Sequence, residues 1–228
     1  RGKDSVCIDF TTPEGQGLVQ ALAKSADVVV ENFKVGGLKK YGLDYASLRL
    51  LNPKLIYCSI TGFGQTGPYA DRAGYDYIAQ GMGGLMSVTG ESDDQPGGGP
   101  QKVGVAVTDL FTGLYAANAI QAALIHRERT GVGQHIDLAL LDTSVAIMAN
   151  MNQGYLVSGV VPKRMGNAHP NIVPYQVLEC ADGYLILGVG NDRQFKAFCE
   201  VAGEPHWAVD DRFATNAGRV RNRAQLVP

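Results

Sequence analysis

Two aspartates, Asp109 and Asp142, occupy positions at which a carboxylate could take part in chemistry. Each follows an apolar run typical of a buried strand, and each precedes a stretch that predicts a helix. At a helix start a carboxylate can accept backbone N–H groups, and the helix dipole favours its ionised form by about 0.3–1 kcal/mol. An ionised, partly desolvated carboxylate can attack an activated acyl group. Plain helix capping explains the same pattern, and the spacing does not choose between the two aspartates.

A glycine-rich segment, residues 62–67 with the sequence GFGQTG, matches the GxGxxG pattern of dinucleotide-binding loops. Such a site requires that the loop open a helix, whereas Pro68 and Tyr69 follow here and no acid stands at the distance of a ribose contact. The segment therefore indicates a tight turn at the carboxyl end of a strand, where open parallel sheets bind ligands. The triple glycine at 97–99 lies in a polar stretch and indicates a surface loop rather than a phosphate cradle.

The elements that must position these residues alternate between short apolar runs and amphipathic stretches. The predicted strands are 6–10, 27–31, 55–60, 103–107 and 135–141, and the predicted helices are 13–24, 43–51, 109–129 and 142–156. Thr12 and Pro13 are typical of an N-cap and a first helical turn. The alternation predicts an α/β fold whose larger domain is built on an open, mainly parallel, Rossmann-like sheet.

The composition changes after Ser158, where a smaller α/β domain is predicted to begin. We assign residues 1–157 to the larger domain, 158–168 to a linker and 169–228 to the start of the smaller domain. In the last of these, a strand is predicted at 184–189 and a helix at 192–201.

Composition excludes several classes of function. The net charge is −2, and no basic block could neutralise a nucleic-acid backbone, so no nucleic-acid partner is expected. No apolar run reaches the roughly eighteen residues that cross a bilayer, so no membrane partner is expected. The four cysteines stand singly and show no metal-ligand spacing with the four histidines, which predicts buried free thiols and no metal site. The chain opens at Arg1 without a signal-peptide pattern, so we interpret it as an internal piece of a longer protein.

Six motifs follow one another along nearly the whole chain. They are 31–37 (ENFKVGG), 51–64 (LNPKLIYCSITGFG), 73–76 (AGYD), 107–113 (VTDLFTG), 130–134 (TGVGQ) and 166–175 (GNAHPNIVPY). Together they resemble the class III CoA-transferases, a family that includes formyl-CoA transferase, carnitine CoA-transferase and the related alpha-methylacyl-CoA racemase. The resemblance implies acyl-CoA and carboxylic acids as substrates, with no permanently bound cofactor. It also implies an interlocked homodimer in the cytoplasm, or in an organelle matrix if a targeting segment was lost.

The resemblance assigns catalytic roles to three residues. Asp109 begins the sequence DLFTG, which matches the family's nucleophile motif, whereas Asp142 falls outside that motif and returns to the capping interpretation. Tyr75 stands where the racemase branch carries a catalytic His. Racemisation needs a base on each side of the α-carbon, so this Tyr favours transfer. Asp76 is expected beside Asp109, and a packed Tyr75 next to a solvated Asp76 is the alternative.

The resemblance also assigns coenzyme A contacts and a substrate loop. The matching coenzyme A positions are Val29, Val30, Glu31, Asn32, Pro53, Lys54, Leu55 and Thr61. Some members carry a basic residue where Thr61 stands, and the phosphate contact made by that residue would be missing here. Residues 166–171 match a loop that closes over the acyl site, with His169 and Asn171 as candidate substrate contacts.

The mechanism implied is transfer of coenzyme A, with succinyl-CoA as the expected donor, through an aspartyl mixed anhydride and an aspartyl-CoA thioester. Amides at the helix start around Asp109 are expected to stabilise the oxyanion. An acyl-CoA racemase or isomerase and a non-catalytic CoA-binding subunit are the alternatives.

Overall fold

A computed structural model describes residues 2–228 and divides them into two units. The first unit runs up to Met86 and continues over Lys102–Pro162; the second comprises Ser87–Gln101 and Lys163–Pro228. In the first unit, three parallel strands lie in the order β1 (Val28–Glu31), β2 (Ile56–Thr61) and β3 (His135–Ala139). The helices of this unit are α1 (Pro13–Ser25), α2 (Tyr45–Leu51), α3 (Asp76–Met82), α5 (Val107–Thr130), α6 (Leu140–Ala146) and α7 (Ala149–Ser158). A short helix, α4 (Leu85–Val88), lies where the chain passes into the second unit.

The central strand β2 is buried on both faces, which explains its continuous apolar sequence. On one face, Tyr57 packs into a core with Ala23 of α1 and Leu48 of α2, and its hydroxyl donates to the Leu43 carbonyl at 3.0 Å. On the other face, Cys58 is completely buried. Helix α5 packs against β2 and β3 through small side chains, which allow close approach. Its buried residues are Thr108, Thr112, Ala116 and Ala123.

The local signals for two predicted helix ends are confirmed. The Thr12 hydroxyl accepts the Gly15 N–H at 3.1 Å, and Pro13 is the first residue of α1. Gly131 ends α5 in the left-handed conformation, with its N–H donating to the Arg127 carbonyl. The α/β fold with a parallel sheet is likewise confirmed.

Two predicted strands, 6–10 and 103–107, are wrong. Residues 6–9 are irregular, and no strand among residues 2–228 pairs with them. The Val103 N–H bonds a side chain instead of a ladder partner, and Val107 already begins α5. The predicted helix 142–156 is divided into α6 and α7, because Ala149 adopts a positive φ of 40° between them.

In the second unit, the strands β4 (Tyr175–Cys180) and β5 (Gly183–Gly188) form an antiparallel hairpin. The helices α8 (Asp192–Val201), α9 (Asn216–Arg221) and α10 (Arg223–Leu226) follow it. The prediction of β5 and α8 is confirmed. The strand β4 was not predicted, because the sequence that precedes it is typical of a loop. Core residues include Val173, Phe195 and Phe213.

Residues 87–101 belong to this second unit, although the sequence boundaries place them in the larger domain. The Gly166 N–H donates to the Gly90 carbonyl at 2.9 Å, and Arg164 pairs with Asp93. A boundary drawn from composition follows the chain and cannot detect a segment that packs about seventy residues away from its place in sequence.

The cysteine expectation is half right: Cys58 and Cys199 are buried, but Cys7 and Cys180 are exposed. Within residues 2–228, no group of His, Cys, Asp and Glu side chains is arranged to hold a metal ion. No helix in that range is both long and apolar enough to span a membrane.

Candidate active site

Two backbone segments cross in direct contact just after β2 ends. A Cβ atom added to Gly62 would lie 2.3 Å from the Gly74 Cα, and one added to Gly74 would lie 2.1 Å from the Gly62 Cα. Only glycine fits at either position, because real Cβ atoms do not approach backbone so closely. The crossing therefore fixes Tyr75 and the start of α3 beside the carboxyl end of β2.

A cavity of about 370 Å³ opens at this crossing. Its walls come from the segments that follow β1 and β2 and from the segment that leads into α3, namely residues 32–35, 61–62 and 70–75. The Asn32 amide donates to the Ile60 carbonyl at 2.6 Å, and the Glu31 carboxylate accepts the Phe33 N–H at 2.7 Å. These bonds hold the turn after β1 against the end of β2. The structure thus brings the predicted residues Asn32, Thr61 and Tyr75 together.

The glycine-rich turn at 62–67 is held in place by two side chains. The Thr61 hydroxyl accepts the Gly64 N–H at 2.9 Å, and both carboxylate oxygens of Asp137 accept the Gln65 N–H, at 3.0 and 3.1 Å. Thr61 therefore shapes the turn, and the prediction of a tight turn at a strand end is confirmed.

Two cations line the cavity, and neither was among the predicted site residues. Lys34 follows β1, and the Arg72 guanidinium lies 4.2 Å from the centroid of the Tyr69 ring. Neither has a carboxylate within ion-pair distance in the part of the chain that the structure describes. Unpaired basic groups of this kind can bind phosphate. Lys34 stands inside the motif at 31–37, but no sequence signal marked Arg72.

Asp76 is the first residue of α3, and its carboxylate accepts hydrogen bonds from backbone N–H groups at the start of α5. One carboxylate oxygen accepts the Thr108 N–H at 2.8 Å and the Asp109 N–H at 3.3 Å. The other oxygen accepts the Gln80 side-chain amide at 2.7 Å, and the Gln80 oxygen accepts the Val103 N–H at 2.9 Å. Gln80 is completely buried, so this network is a fixed connection between α3 and α5.

The expected environment of Asp109 is therefore wrong in two respects. Its carboxylate is exposed in the first turn of α5 and accepts none of the amides, because Asp76 has taken them. Those two amides are consequently not free to stabilise an oxyanion. The residue is exposed overall but partly desolvated, and this partial desolvation, followed by the negative charge of Asp76, raises the pKa of Asp109 above its ordinary value, whereas the helix dipole predicted a preference for the ionised form. A more basic carboxylate is a better nucleophile once ionised.

Asp142 occupies the same place in α6 without this second carboxylate. It is the third residue of the helix and exposed, and no backbone N–H in residues 2–228 donates to its side chain. The Leu141 N–H donates instead to the Gly62 carbonyl at 3.1 Å. The capping role predicted for Asp142 is therefore wrong.

The remaining predicted coenzyme A residues do not gather at the cavity. Val29 packs into the core, and Val30 points outward with 55% exposure. Leu55 is buried, and the Pro53 carbonyl accepts the Gly133 N–H. Lys54 is exposed beside them. Residues 53–55 precede β2, so about 20 Å of extended strand separates them from the cavity at its other end.

The two predicted loop residues, His169 and Asn171, lie in the second unit. The His169 N–H donates to the Tyr175 carbonyl at 2.9 Å, and the His169 Nδ1 accepts the Asn171 N–H at 3.1 Å. The loop thus has a defined internal structure.

Comparison with known proteins decides the family. The family model described as CoA-transferase family III matches residues 1–228. The chain belongs to this family. It is 62% identical over 226 residues to the succinate–glutarate CoA-transferase of Agrobacterium fabrum, covering 99% of this chain and 56% of that protein. It is 46% identical over 227 residues to the succinyl-CoA:glutarate CoA-transferase of Mus musculus, covering 100% of this chain and 51% of that protein.

A solved structure agrees with this assignment. A CAIB/BAIF family protein from Brucella suis superposes with a TM-score of 0.83 at 61% sequence identity, covering 99% of this chain and 59% of that one. The chain therefore spans a little over half the length of the proteins that it matches.

Proposed function

We propose that the full-length protein transfers coenzyme A from succinyl-CoA to a carboxylic acid, with glutarate as the first acceptor to test. Family membership supports the reaction class, and the names of the two relatives support this donor and acceptor. One observation carries the proposal. The Asp76 carboxylate, next to Tyr75 in sequence, accepts the Asp109 N–H and contributes to the raised pKa of Asp109 at the carboxyl end of the parallel sheet. In this type of sheet that edge is the usual ligand site.

In the proposed mechanism Asp109 is the nucleophile. One of its oxygens bonds to the thioester carbonyl carbon of the donor, the C–S bond breaks, and the coenzyme A thiolate leaves with the electron pair. The thiolate then attacks the aspartyl carbonyl of this mixed anhydride, which gives an aspartyl-CoA thioester and frees succinate. Glutarate repeats both steps in reverse, so glutaryl-CoA leaves and the Asp109 carboxylate returns. No proton or redox equivalent is needed.

Asp76 and Tyr75 support this chemistry in different ways. Asp76 fixes the first turn of α5, which carries the nucleophile, and its charge adds to the larger effect of partial desolvation, which raises the pKa of Asp109. Tyr75 lines the cavity and is 68% exposed, so its hydroxyl is available to a substrate carbonyl.

Coenzyme A would bind along the cavity through Asn32, Thr61, Lys34 and Arg72. The two unpaired cations supply the positive charge that Thr61 lacks, and a phosphate or pyrophosphate group is the natural partner for them. Two further sets of residues stay predicted coenzyme A contacts. They are Pro53 to Leu55, which precede β2, and Val29 to Glu31 of β1. No permanently bound cofactor is part of this mechanism.

Residues 166–171 stay the predicted substrate loop, with His169 and Asn171 as its predicted substrate contacts. Both covalent intermediates hydrolyse in water, so the site must exclude it. In this proposal the first unit belongs to the larger, CoA-binding domain and the second unit contains the start of the smaller one.

The full-length protein would act as an interlocked homodimer. In support, the first unit exposes several large apolar side chains that a partner could cover, among them Leu110 and Leu114 of α5 and Leu156 of α7. Light scattering on the full-length protein should give twice the subunit mass, and an active monomer would contradict the proposal. We place the dimer in the cytoplasm, or in an organelle matrix if the precursor carries a targeting segment.

Trapping the intermediate tests the nucleophile. Full-length protein incubated with succinyl-CoA should carry a covalent adduct on the peptide that contains Asp109, and hydroxylamine should convert it to an aspartyl hydroxamate visible by mass spectrometry. Asp109→Ala should abolish adduct and transfer together. The matched control, Asp142→Ala, should keep both. Substantial transfer by Asp109→Ala would show that another group forms the covalent bond.

A further inference from the structure

The loop that carries His169 and Asn171 is held by three side chains from the C-terminal helices of its own unit. Asn216 and Arg219 stand three residues apart in α9, a spacing that places them on one face of that helix, and Arg223 is the first residue of α10. Nothing in the proposed mechanism uses these three residues.

Two of the three bind the far end of the loop. The Asn216 amide donates to the Asn171 carbonyl at 2.8 Å, and its oxygen accepts the Val173 N–H at 3.2 Å. Arg219 is completely buried and donates to the Val173 carbonyl at 2.7 Å and to Asp192 at 2.9 Å. Arg219 is part of the core, so its loss would unfold the unit and reveal nothing about the loop.

Arg223 binds the loop at His169 and Pro170, and it contacts only backbone carbonyls there. One guanidinium nitrogen, Nη2, donates to two successive carbonyls, those of His169 at 2.5 Å and Pro170 at 3.2 Å. The other terminal nitrogen, Nη1, is buried without a partner in residues 2–228. No carboxylate in that range forms an ion pair with Arg223. The charge is thus held against loop carbonyls alone, a contact for which the point charge of lysine is a poor substitute.

The backbone that Arg223 holds determines how the His169 ring is presented. The ring Nδ1 accepts the Asn171 N–H, so Nδ1 carries the lone pair and Nε2 carries the hydrogen. The ring also packs edge-on against Tyr175, with 5.3 Å between the centroids. Rotation of the 169–170 or 170–171 peptide would break the Nδ1 contact and release the ring.

We propose that Arg223 is a positioning residue, which holds the loop backbone so that His169 presents its Nε2–H as a hydrogen-bond donor to a carboxylate ligand. This role rests on the proposed function. Arg223 lies in α10, more than fifty positions from the loop in sequence. In this proposal it fixes the orientation of the His169 Nε2–H donor.

The kinetic test compares Arg223→Met and Arg223→Lys with Arg221→Met in the full-length protein. Arg221, the last residue of α9, is an exposed arginine two positions earlier with no side-chain hydrogen bond in residues 2–228. Arg223→Met should lower kcat by roughly 10- to 100-fold, the scale of a misplacement of about 1 Å. Its KM for succinyl-CoA should stay within about twofold, and hydrolysis should rise relative to transfer because the loop admits water. Arg223→Lys should fall between, and Arg221→Met should match the parent.

Two measurements separate this proposal from the proposed function. Nitrogen-15 NMR of the histidine rings, assigned by a His169→Gln variant, should show the Nε2–H tautomer for His169 in the parent and a tautomer mixture in Arg223→Met. Exchange of the backbone amides of residues 169 and 171–173 should quicken in Arg223→Met but not in Arg221→Met. A folded Arg223→Met, or Arg223→Lys if the former unfolds, with parent-like turnover, tautomer and exchange would overturn the proposal. A parent protein without transferase activity would contradict the proposed function, while the ring and exchange data would still decide whether Arg223 holds the loop.

Discussion

Helices α5 and α6 begin alike in sequence and differently in structure. Each carries an aspartate as its third residue, Asp109 or Asp142, and neither carboxylate accepts an amide of its own helix. At α5 the amides are taken by Asp76, which stands 33 residues upstream of Asp109, and at α6 a first-turn amide is taken by the Gly62 carbonyl. The position on a helix therefore does not distinguish the two aspartates. Tertiary packing does, because it brings a second carboxylate to one of them only.

The largest expected difference between the two helix starts is catalytic. Asp109→Asn should lower kcat for transfer from succinyl-CoA by about 10⁴-fold or more, because an amide cannot form the covalent bond and about 5.5 kcal/mol of barrier reduction is lost. Asp142→Asn should stay within about twofold. Steady-state assays on both full-length variants check this, and similar losses at the two sites would remove the distinction.

The next largest effect is on stability and concerns the backbone contact of Gly62 with Gly74, which positions Asp76 near the start of α5. Gly74→Ala forces a Cβ into the Gly62 backbone and should destabilise the protein by about 3 kcal/mol or more. Gly113→Ala is the matched control, since its Cβ would meet no atom within 4 Å, and in a helix it should stabilise by about 0.5–1 kcal/mol. Urea unfolding measures both. An unchanged midpoint for Gly74→Ala would mean that the two segments can separate freely.

A smaller effect should follow from removal of the connection between α3 and α5. Asp76→Ala leaves two amides of α5 without an acceptor and should cost about 0.5–2 kcal/mol of stability, with faster exchange of the Thr108 and Asp109 amides. Asp142→Ala should change stability by less than about 0.5 kcal/mol, because its carboxylate caps nothing. Equal losses in the two variants would show that the observed bonds of Asp76 are not what stabilises α5.

The smallest effect concerns the dependence of stability on pH. The pKa of Asp109 is raised in the folded state, by burial first and by Asp76 second, so the folded state binds more protons than the unfolded state over that range. Stability must therefore fall as pH rises through the raised pKa, and the loss is absent at lower pH, where both states are protonated. Asp109→Asn removes this loss. Its melting temperature should exceed that of the parent at neutral pH and should converge with it in acid, and a constant difference at every pH would contradict the assignment.

The sequence predicted local features of the fold well and long-range ones poorly. The cap at Thr12 and the glycine that ends α5 depend on neighbours in sequence, and both are confirmed. The strand predicted at 103–107 failed because an apolar run does not show whether a partner strand lies beside it. The packing of residues 87–101 with the second unit depends on contacts such as that of Gly90 with Gly166, which leave no local signal.

The candidate site shows the same limit. A family motif located Asp109, but desolvation, and after it the charge of Asp76, reverses the expected direction of its pKa shift, and both arise only from the fold. Arg72 joins the cavity because its segment folds back past Gly62, so its position could not be read from the residues on either side of it.

The contact of Gly62 with Gly74 limits how the cavity can be redesigned. Residues 70–73 on one of the two segments line the cavity and are natural targets for randomised libraries. The two glycines themselves must stay fixed, since a library that varies them will consist mostly of unfolded members at those positions. Screening effort is best directed to residues between them such as Asp71 and Ala73, which line the cavity and are exposed, so mutational tolerance should be high.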